Sequence, residues 1–260
     1  MRHAIALEYD GRAFCGFQSQ PSGCGVQDAL ERALAAIAGS PVRIAPAGRT
    51  DAGVHATSQI VHFDAPVERP LNAWVRGVNA HLPESAAVLW CAPVAIDFHA
   101  RFAATSRHYT YLLLDRAVRP ALLHGRVGWF HVPLDVDAMA DAAQMLVGTH
   151  DFSSFRAAGC QAKSPVKTLA RLDVVREGSF VRFDVSAGAF LHHMVRNIVG
   201  ALVDVGASRR TRAWLADVLA AADRRRGAAT FAPDGLYFAG ADYDARFALP
   251  STRRAVTVAF

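Results

Sequence analysis

Along this chain, runs that alternate polar with apolar residues are separated by stretches whose apolar residues return every three or four positions. That interleaving constrains the fold more than any other feature. Period two places one face of a strand on a core, period 3.6 does the same for one stripe of a helix, and their alternation specifies layered αβ packing. "AIALEYD" at residues 4–10 reads as a strand. "GVQDALERALAAIAG" then puts Val26, Leu30, Ala33, Leu34 and Ile37 on one helical face before Gly39 stops it. "QIVHFDA" is extended, "PLNAWVRGVNAHLP" is helical between two prolines, and "AAVLWCAPV" returns to strand character. The grammar begins again with the strand "HYTYLLLD" and a helix at "DVDAMADAAQMLVG", followed by a hairpin whose arms are "TLARLDVVR" and "FVRFDVSA". The longest helical signal, "FLHHMVRNIVGALVDVG" at 190–206, places Leu191, Met194, Val195, Ile198, Val199 and Leu202 on a buried face. A last helix carries Trp214, Leu215, Val218 and Leu219 and gives way to the strand "GLYFAGADY". The expectation is an α/β (α+β) protein of two similar αβ halves, 1–105 and 106–260, related in architecture and not by a residue-level repeat.

The 260 residues are 52% hydrophobic, enough for a sizeable core. No apolar run approaches the ~18 residues of a membrane helix, and "MRHAIALEYDGR" turns acidic too soon for a signal peptide. The expected location is the cytoplasm, with no membrane partner. Cys15, Cys24, Cys91 and Cys160 show no paired spacing, which predicts reduced, structural thiols and neither a zinc site nor a disulfide framework. A formal charge of +5 suits a polyanionic partner without requiring one.

Three stretches carry candidate chemistry. "PAGRTDAGVHA" at 46–56 sets Arg49, Thr50 and Asp51 between Gly48 and Gly53. Glycines permit a sharp loop that presents polar side chains outward, and a carboxylate beside a guanidinium is a candidate nucleophile or base. The same string also fits a surface turn with an exposed ion pair. On a helical wheel over 190–206, His192, His193, Arg196 and Gly200 cluster opposite the apolar side, facing either solvent or a cleft. A glycine in mid-helix points to close approach by another backbone segment or by a ligand. "RFAATSRHYTY" interleaves Arg101, Arg107 and His108 with Phe102, Tyr109 and Tyr111, a composition that suits unpaired nucleic acid and equally an alternating strand. Metal catalysis is not expected, because adjacent helical histidines point ~100° apart and no H-E-x-x-H motif or cysteine cluster completes a site. P-loop, Rossmann and G-x-S-x-G patterns are absent from the sequence, so no cofactor is expected.

Taken together, "GRTDAGVHA", "DFHARFAATSRHYTY", "DFSSFRAAGCQAKSPVKTL", "FLHHMVRNIVG" and "DGLYFAGADY" resemble, in order and separation, the TruA family of tRNA pseudouridine synthases, from near Ile5 to near Tyr243. The resemblance implies two similar halves, an extended, mostly antiparallel sheet and a catalytic cleft between the halves. It also implies a homodimer that isomerises uridines 38, 39 and 40 of the tRNA anticodon arm after flipping the target base. By position, the family's nucleophilic aspartate matches Asp51, and the arginine that helps expel and replace the target nucleotide matches Arg49. The tyrosine that stacks on the uracil matches Tyr109, and the arginine that pairs with the aspartate matches Arg196. Basic residues in these motifs, His55, Arg101, Arg107 and His192, are candidate RNA contacts. "FCGFQSQ" departs from the pattern, with Phe14 and Phe17 where relatives usually carry tyrosine or tryptophan. Two rival readings use the same residues: a noncatalytic RNA-binding or remodelling protein, and an aspartate-dependent glycosidase that releases uracil.

Overall fold

Strand β1 (Arg2–Tyr9) is buried along nearly its whole length, as a strand covered on both faces must be. It runs antiparallel to β3 (His55–Asp64) on one side and to β4 (Ala86–Pro93) on the other. The far edge of β3 is shared by two partners. Antiparallel β2 (Ile44–Pro46) takes Val61 to Phe63, and β10 (Leu236–Tyr243) pairs in parallel at His55 and Ala56. Helix α1 (Val26–Ala38) starts where the Asp28 carboxylate accepts the Gly25 N–H at 3.0 Å, and it stops at Gly39. It packs on α2 (Val78–His81), which follows a wider π turn at Ala73–Gly77, so the single helix expected between the two prolines is divided. These elements form one compact unit, Met1–Arg107 together with the chain from Tyr237. The computed structural model describes residues 1–257.

Residues His108–Leu236 form the second unit. Its strands are β5 (Ala104–Asp115), β6 (Gly128–Phe130), β7 (Gly148–Asp151), β8 (Val166–Glu177) and β9 (Phe180–Ala187). They order as β5-β9-β8-β7, with β6 parallel on β5. The β8–β9 hairpin matches the predicted arms, and β7 runs antiparallel to β8. Helix α3 (Val136–Gln144), capped by the Asp135 carboxylate on Ala138 N–H at 2.9 Å, packs on β8 and on α4 (Met194–Gly206). Helix α5 (Arg212–Ala221) is capped by Thr211 and buries Leu215 and Val218. All six residues predicted for the apolar face around 190–206 are buried. Both units mix helix with mostly antiparallel sheet, the expected class. The short strands β2, β6 and β7 escape the sequence pattern because three or four residues cannot display a period. No helix of the described residues is long and apolar enough to cross a membrane.

One expectation is corrected here. Cys15 and Cys24 are joined in a disulfide, where the sequence predicted four reduced thiols; Cys91 and Cys160 are free. The intervening segment turns back on itself, Gly23 N–H donating to Gln20 at 2.8 Å and Cys15 N–H to the Cys24 carbonyl at 3.0 Å. Two cysteines nine apart in sequence thereby reach a Cα separation of 5.5 Å.

Candidate active site

The Asp51 loop connects β2 to β3 and is fastened at almost every residue. Ala47 N–H donates to Ile60 at 2.7 Å, and the Gly48 carbonyl accepts Gln59 Nε2 at 2.8 Å. The Thr50 carbonyl accepts Phe17 N–H at 3.0 Å, and the Asp51 carbonyl accepts Val54 N–H at 3.2 Å. Gly53 turns the chain with φ +79°, a conformation that suits glycine. The result is alternation: Arg49 and Ala52 are exposed, Asp51 is half-buried, and Thr50 between them is buried. Gly16 lies against the loop's backbone, where a Cβ would stand 3.0 Å from the Thr50 carbonyl oxygen and 3.3 Å from the Asp51 carbonyl carbon. The segment containing Cys15 thus seats the loop, and the N–H groups of Val26 and Gln27 at the start of α1 hold that segment by the carbonyls of Gly16 and Phe17.

Below the loop, the Tyr9 phenol and the Thr50 hydroxyl are hydrogen-bonded at 2.7 Å, both buried. Burial pushes the Tyr9 phenol up to about 12, against the opposing hydrogen bonds of Thr50 and Gln59. The Tyr9 ring lies between Phe14, at 6.3 Å, and Phe17, at 6.2 Å. Phe17 is completely buried, so at this departure from the usual Tyr/Trp pattern the side chain packs entirely within protein.

The other candidates of this unit divide between floor and surface. His55 is 3% exposed; its Nδ1 accepts Gly11 N–H at 3.1 Å and its ring stacks on Tyr237 at 4.6 Å. It braces the turn after β1 and is enclosed in the protein. Arg107 donates from Nε to Ala47 at 3.2 Å, from Nη1 to Ala104 at 3.3 Å and from Nη2 to Arg101, fastening the loop's entrance. Arg101 is exposed, its guanidinium 5.8 Å from the centre of the equally exposed Phe102 ring.

In the second unit, β5 places Tyr109 and Tyr111 on one face. Tyr111 is fully buried, and its hydroxyl donates to Ala232 at 2.9 Å. Tyr109 is half-buried, edge-on to Phe190 at 5.0 Å. On the other face His108 bonds Ser186 and Thr110 bonds Asp184, both at 2.7 Å. The helix predicted from 190 begins only at Met194. His193 is left-handed at φ 61°, and the His192 carbonyl accepts Ala157 N–H at 3.0 Å, so the backbone is diverted before helical geometry starts. The two histidines therefore precede the helix, and their rings stand 4.0 Å apart instead of diverging around a wheel. His192 is exposed.

Arg196 lies in the first turn of α4, its Nε donating to the Phe231 carbonyl at 2.8 Å while its own carbonyl accepts Phe231 N–H at 3.2 Å. One turn on, a Cβ at Gly200 would stand 2.3 Å from the Ala229 carbonyl oxygen. Of the two explanations for a mid-helix glycine, close approach by backbone is the one observed. Sequence reasoning missed Asn197, which is 2% exposed and hydrogen-bonded at both ends of its amide. It donates to Phe155 at 2.8 Å and accepts from Arg224 at 3.0 Å and Thr230 at 2.7 Å. It also missed Tyr9 and Gln59; a polar residue in an otherwise apolar strand pattern was the available signal.

A family model described as tRNA pseudouridine synthase matches residues 5–103 and 142–244. The chain is 58% identical over 250 residues to tRNA pseudouridine synthase A of Dechloromonas aromatica, covering 96% of this chain and 95% of that protein. It is 60% identical over 252 residues to the protein of the same name from Chromobacterium violaceum, covering 96% of each. For the one from Thiobacillus denitrificans the figures are 58% over 252 residues and 97% of each. The family match spans the segments that hold the Asp51 loop and α4, and on it and on identity at this level over nearly the whole length the chain belongs to the tRNA pseudouridine synthase family, isomerases that act on uridine in tRNA.

Proposed function

We propose that the chain isomerises uridines 38, 39 and 40 of the tRNA anticodon arm, with Asp51 as the essential carboxylate, and that it works as a homodimer in the cytoplasm. The reading is carried by one observation: a loop fastened at Ala47, Gly48, Thr50 and Asp51 buries Thr50 and leaves Asp51 half-buried. Fixed geometry of that kind is what a reacting group needs, since misplacement by about 1 Å can cost ~100-fold in rate.

The chemistry conserves every substrate atom. The bond from uracil N1 to the ribose carbon C1′ breaks, the base turns, and C5 bonds to C1′; C5 loses a proton and N1 gains one. No oxidant, phosphoryl donor or hydrolytic water is consumed. The target must leave its stack first, and the few kcal/mol this costs are offset by new contacts. Tyr109 offers the uracil a ring face, and Arg49, exposed beside Asp51, fills the space the nucleotide leaves. An ionised Asp51 can attack the sugar carbon, add to the ring or take a ribose proton, and each route needs the negative charge. Arg196, held by Phe231, is a second cation on which turnover depends.

The test is incubation with unmodified tRNA, followed by carbodiimide labelling and nucleoside chromatography, since isomerisation leaves mass unchanged. Pseudouridine at the three anticodon-arm positions is expected. Binding without change would support the noncatalytic rival, and free uracil the glycosidase. Asp51→Asn is expected to bind tRNA and form no pseudouridine; substantial turnover by that variant would remove Asp51 from its role.

A further inference from the structure

We infer that Tyr9, Thr50 and Gln59 are positioning residues for the reaction, a buried hydrogen-bonded floor that fixes the Asp51 carboxylate from beneath. The inference rests on the reading of Asp51 given above. Tyr9 is 4% exposed, Thr50 7% and Gln59 not at all. They come from β1, from the loop and from β3, the two strands being adjacent in register, with Leu7 opposite Gln59 and Tyr9 opposite Ala56. Gln59 Nε2 donates to the Gly48 carbonyl at 2.8 Å, and the Tyr9 and Thr50 oxygens are 2.7 Å apart. The loop is therefore gripped on both sides of Arg49 by side chains of two strands of the central sheet.

Stability alone explains this arrangement poorly. The Gln59 Oε1 atom is buried without a hydrogen-bond partner, a cost that an apolar side chain would avoid. A buried phenol at the end of β1 likewise spends its hydroxyl on Gln59 and on Thr50, the residue next to Asp51. The Tyr9 hydroxyl stays protonated through the working pH range because burial raises it to about 12, so the link to Thr50 does not weaken with pH. Thr50 is buried and Asp51, the next residue, is half-buried, so a displacement of the first carries the second with it.

The experiment measures single-turnover pseudouridine formation at saturating enzyme, with tRNA affinity and thermal stability measured separately. The variants are Tyr9→Phe, Thr50→Val, Thr50→Ser and the double variant Tyr9→Phe/Thr50→Val, with Asp51→Asn alongside. Thr50→Val keeps shape and loses the hydroxyl, and it should slow turnover about tenfold to a hundredfold with affinity unchanged. Thr50→Ser restores the hydroxyl and should come within about threefold of the parent protein. The double variant should be no slower than the slower single one, because both remove the same bond. Parent-like rates for Tyr9→Phe and Thr50→Val, or a serine variant as slow as the valine one, would overturn the positioning role while an inactive Asp51→Asn left the aspartate's role standing. An active Asp51→Asn would overturn both.

Discussion

Thr50 and Asp51 are neighbours of unlike burial, and Thr50 shows how much one residue's placement owes to others distant in sequence. Asp51 stood out as a candidate because glycines and an arginine surround it in one short string. Thr50 did not, since its partners sit 41 residues earlier and, through Gly48, 11 residues later. His62 illustrates the same limit. It reads as an ordinary strand residue, yet it is buried, its Nδ1 accepts Ala100 N–H at 3.2 Å, and its ring lies 4.5 Å from that of His99. Burial, then the charges of His99 and Arg2, push it down to about 4. The unfolded chain titrates near 6.5, so the neutral ring contributes its full stability above that pH and loses it as pH falls from about 6.5 towards 4. The loss attributable to His62 is up to about 3 kcal/mol. His62→Gln, which retains an acceptor and cannot titrate, should flatten the pH dependence of unfolding free energy in that window by about one proton's worth. An unchanged slope between parent and variant would show that His62 does not titrate in this way.

At the scale of elements, long periodic segments were readable and their ends were not. The α4 stripe was found residue by residue, but its start was placed at 190 because His192 and His193 look helix-compatible and nothing in the string announces a left-handed residue at 193. Gly200 was flagged correctly as a place of close approach, and it supports a prediction. Alanine is the better helix former by about 1 kcal/mol, yet its Cβ would stand 2.3 Å from the Ala229 carbonyl oxygen. Gly200→Ala should therefore lower stability, by about 1–3 kcal/mol, and disturb the Phe231 segment that holds Arg196. A denaturant midpoint higher than the parent's would mean that the covering segment yields freely. The disulfide was invisible because two cysteines without a repeated spacing carry no signature, and only the turns between them reveal the pairing. Closing so short a loop stabilises by roughly 2–3 kcal/mol in the chain-entropy view. Cys24→Ser, or a dithiol reductant, should lower the unfolding midpoint accordingly, and reductant should then have no further effect on the variant.

For the whole molecule, the sequence conveyed the mixed αβ class from its alternating grammar, and the family relationship from motifs spread along nearly its full length. What it could not convey is that β10 adds a strand to the first unit after the intervening unit is complete. A chain carrying +5 formal charge and acting on tRNA should bind it less tightly as salt rises, because each phosphate contact releases counterions. The expected result is a linear fall of log affinity with log salt; an affinity indifferent to salt between about 50 and 200 mM would argue against phosphate contacts as its source. The returning strand bears on the order of events during synthesis. The second unit is continuous in sequence and needs no strand from the segment that follows it. The first has its central strands early but must wait for Trp90 to meet the carbonyl of Ser251, and for Thr57 to meet that of Arg254. At about 5–20 residues per second, the ribosome leaves that sheet unfinished for on the order of ten seconds, with part of the outer edge of β3 open. The half of the protein that emerges first is thus the half that finishes last, and it is the one a nascent-chain chaperone would have most reason to shield.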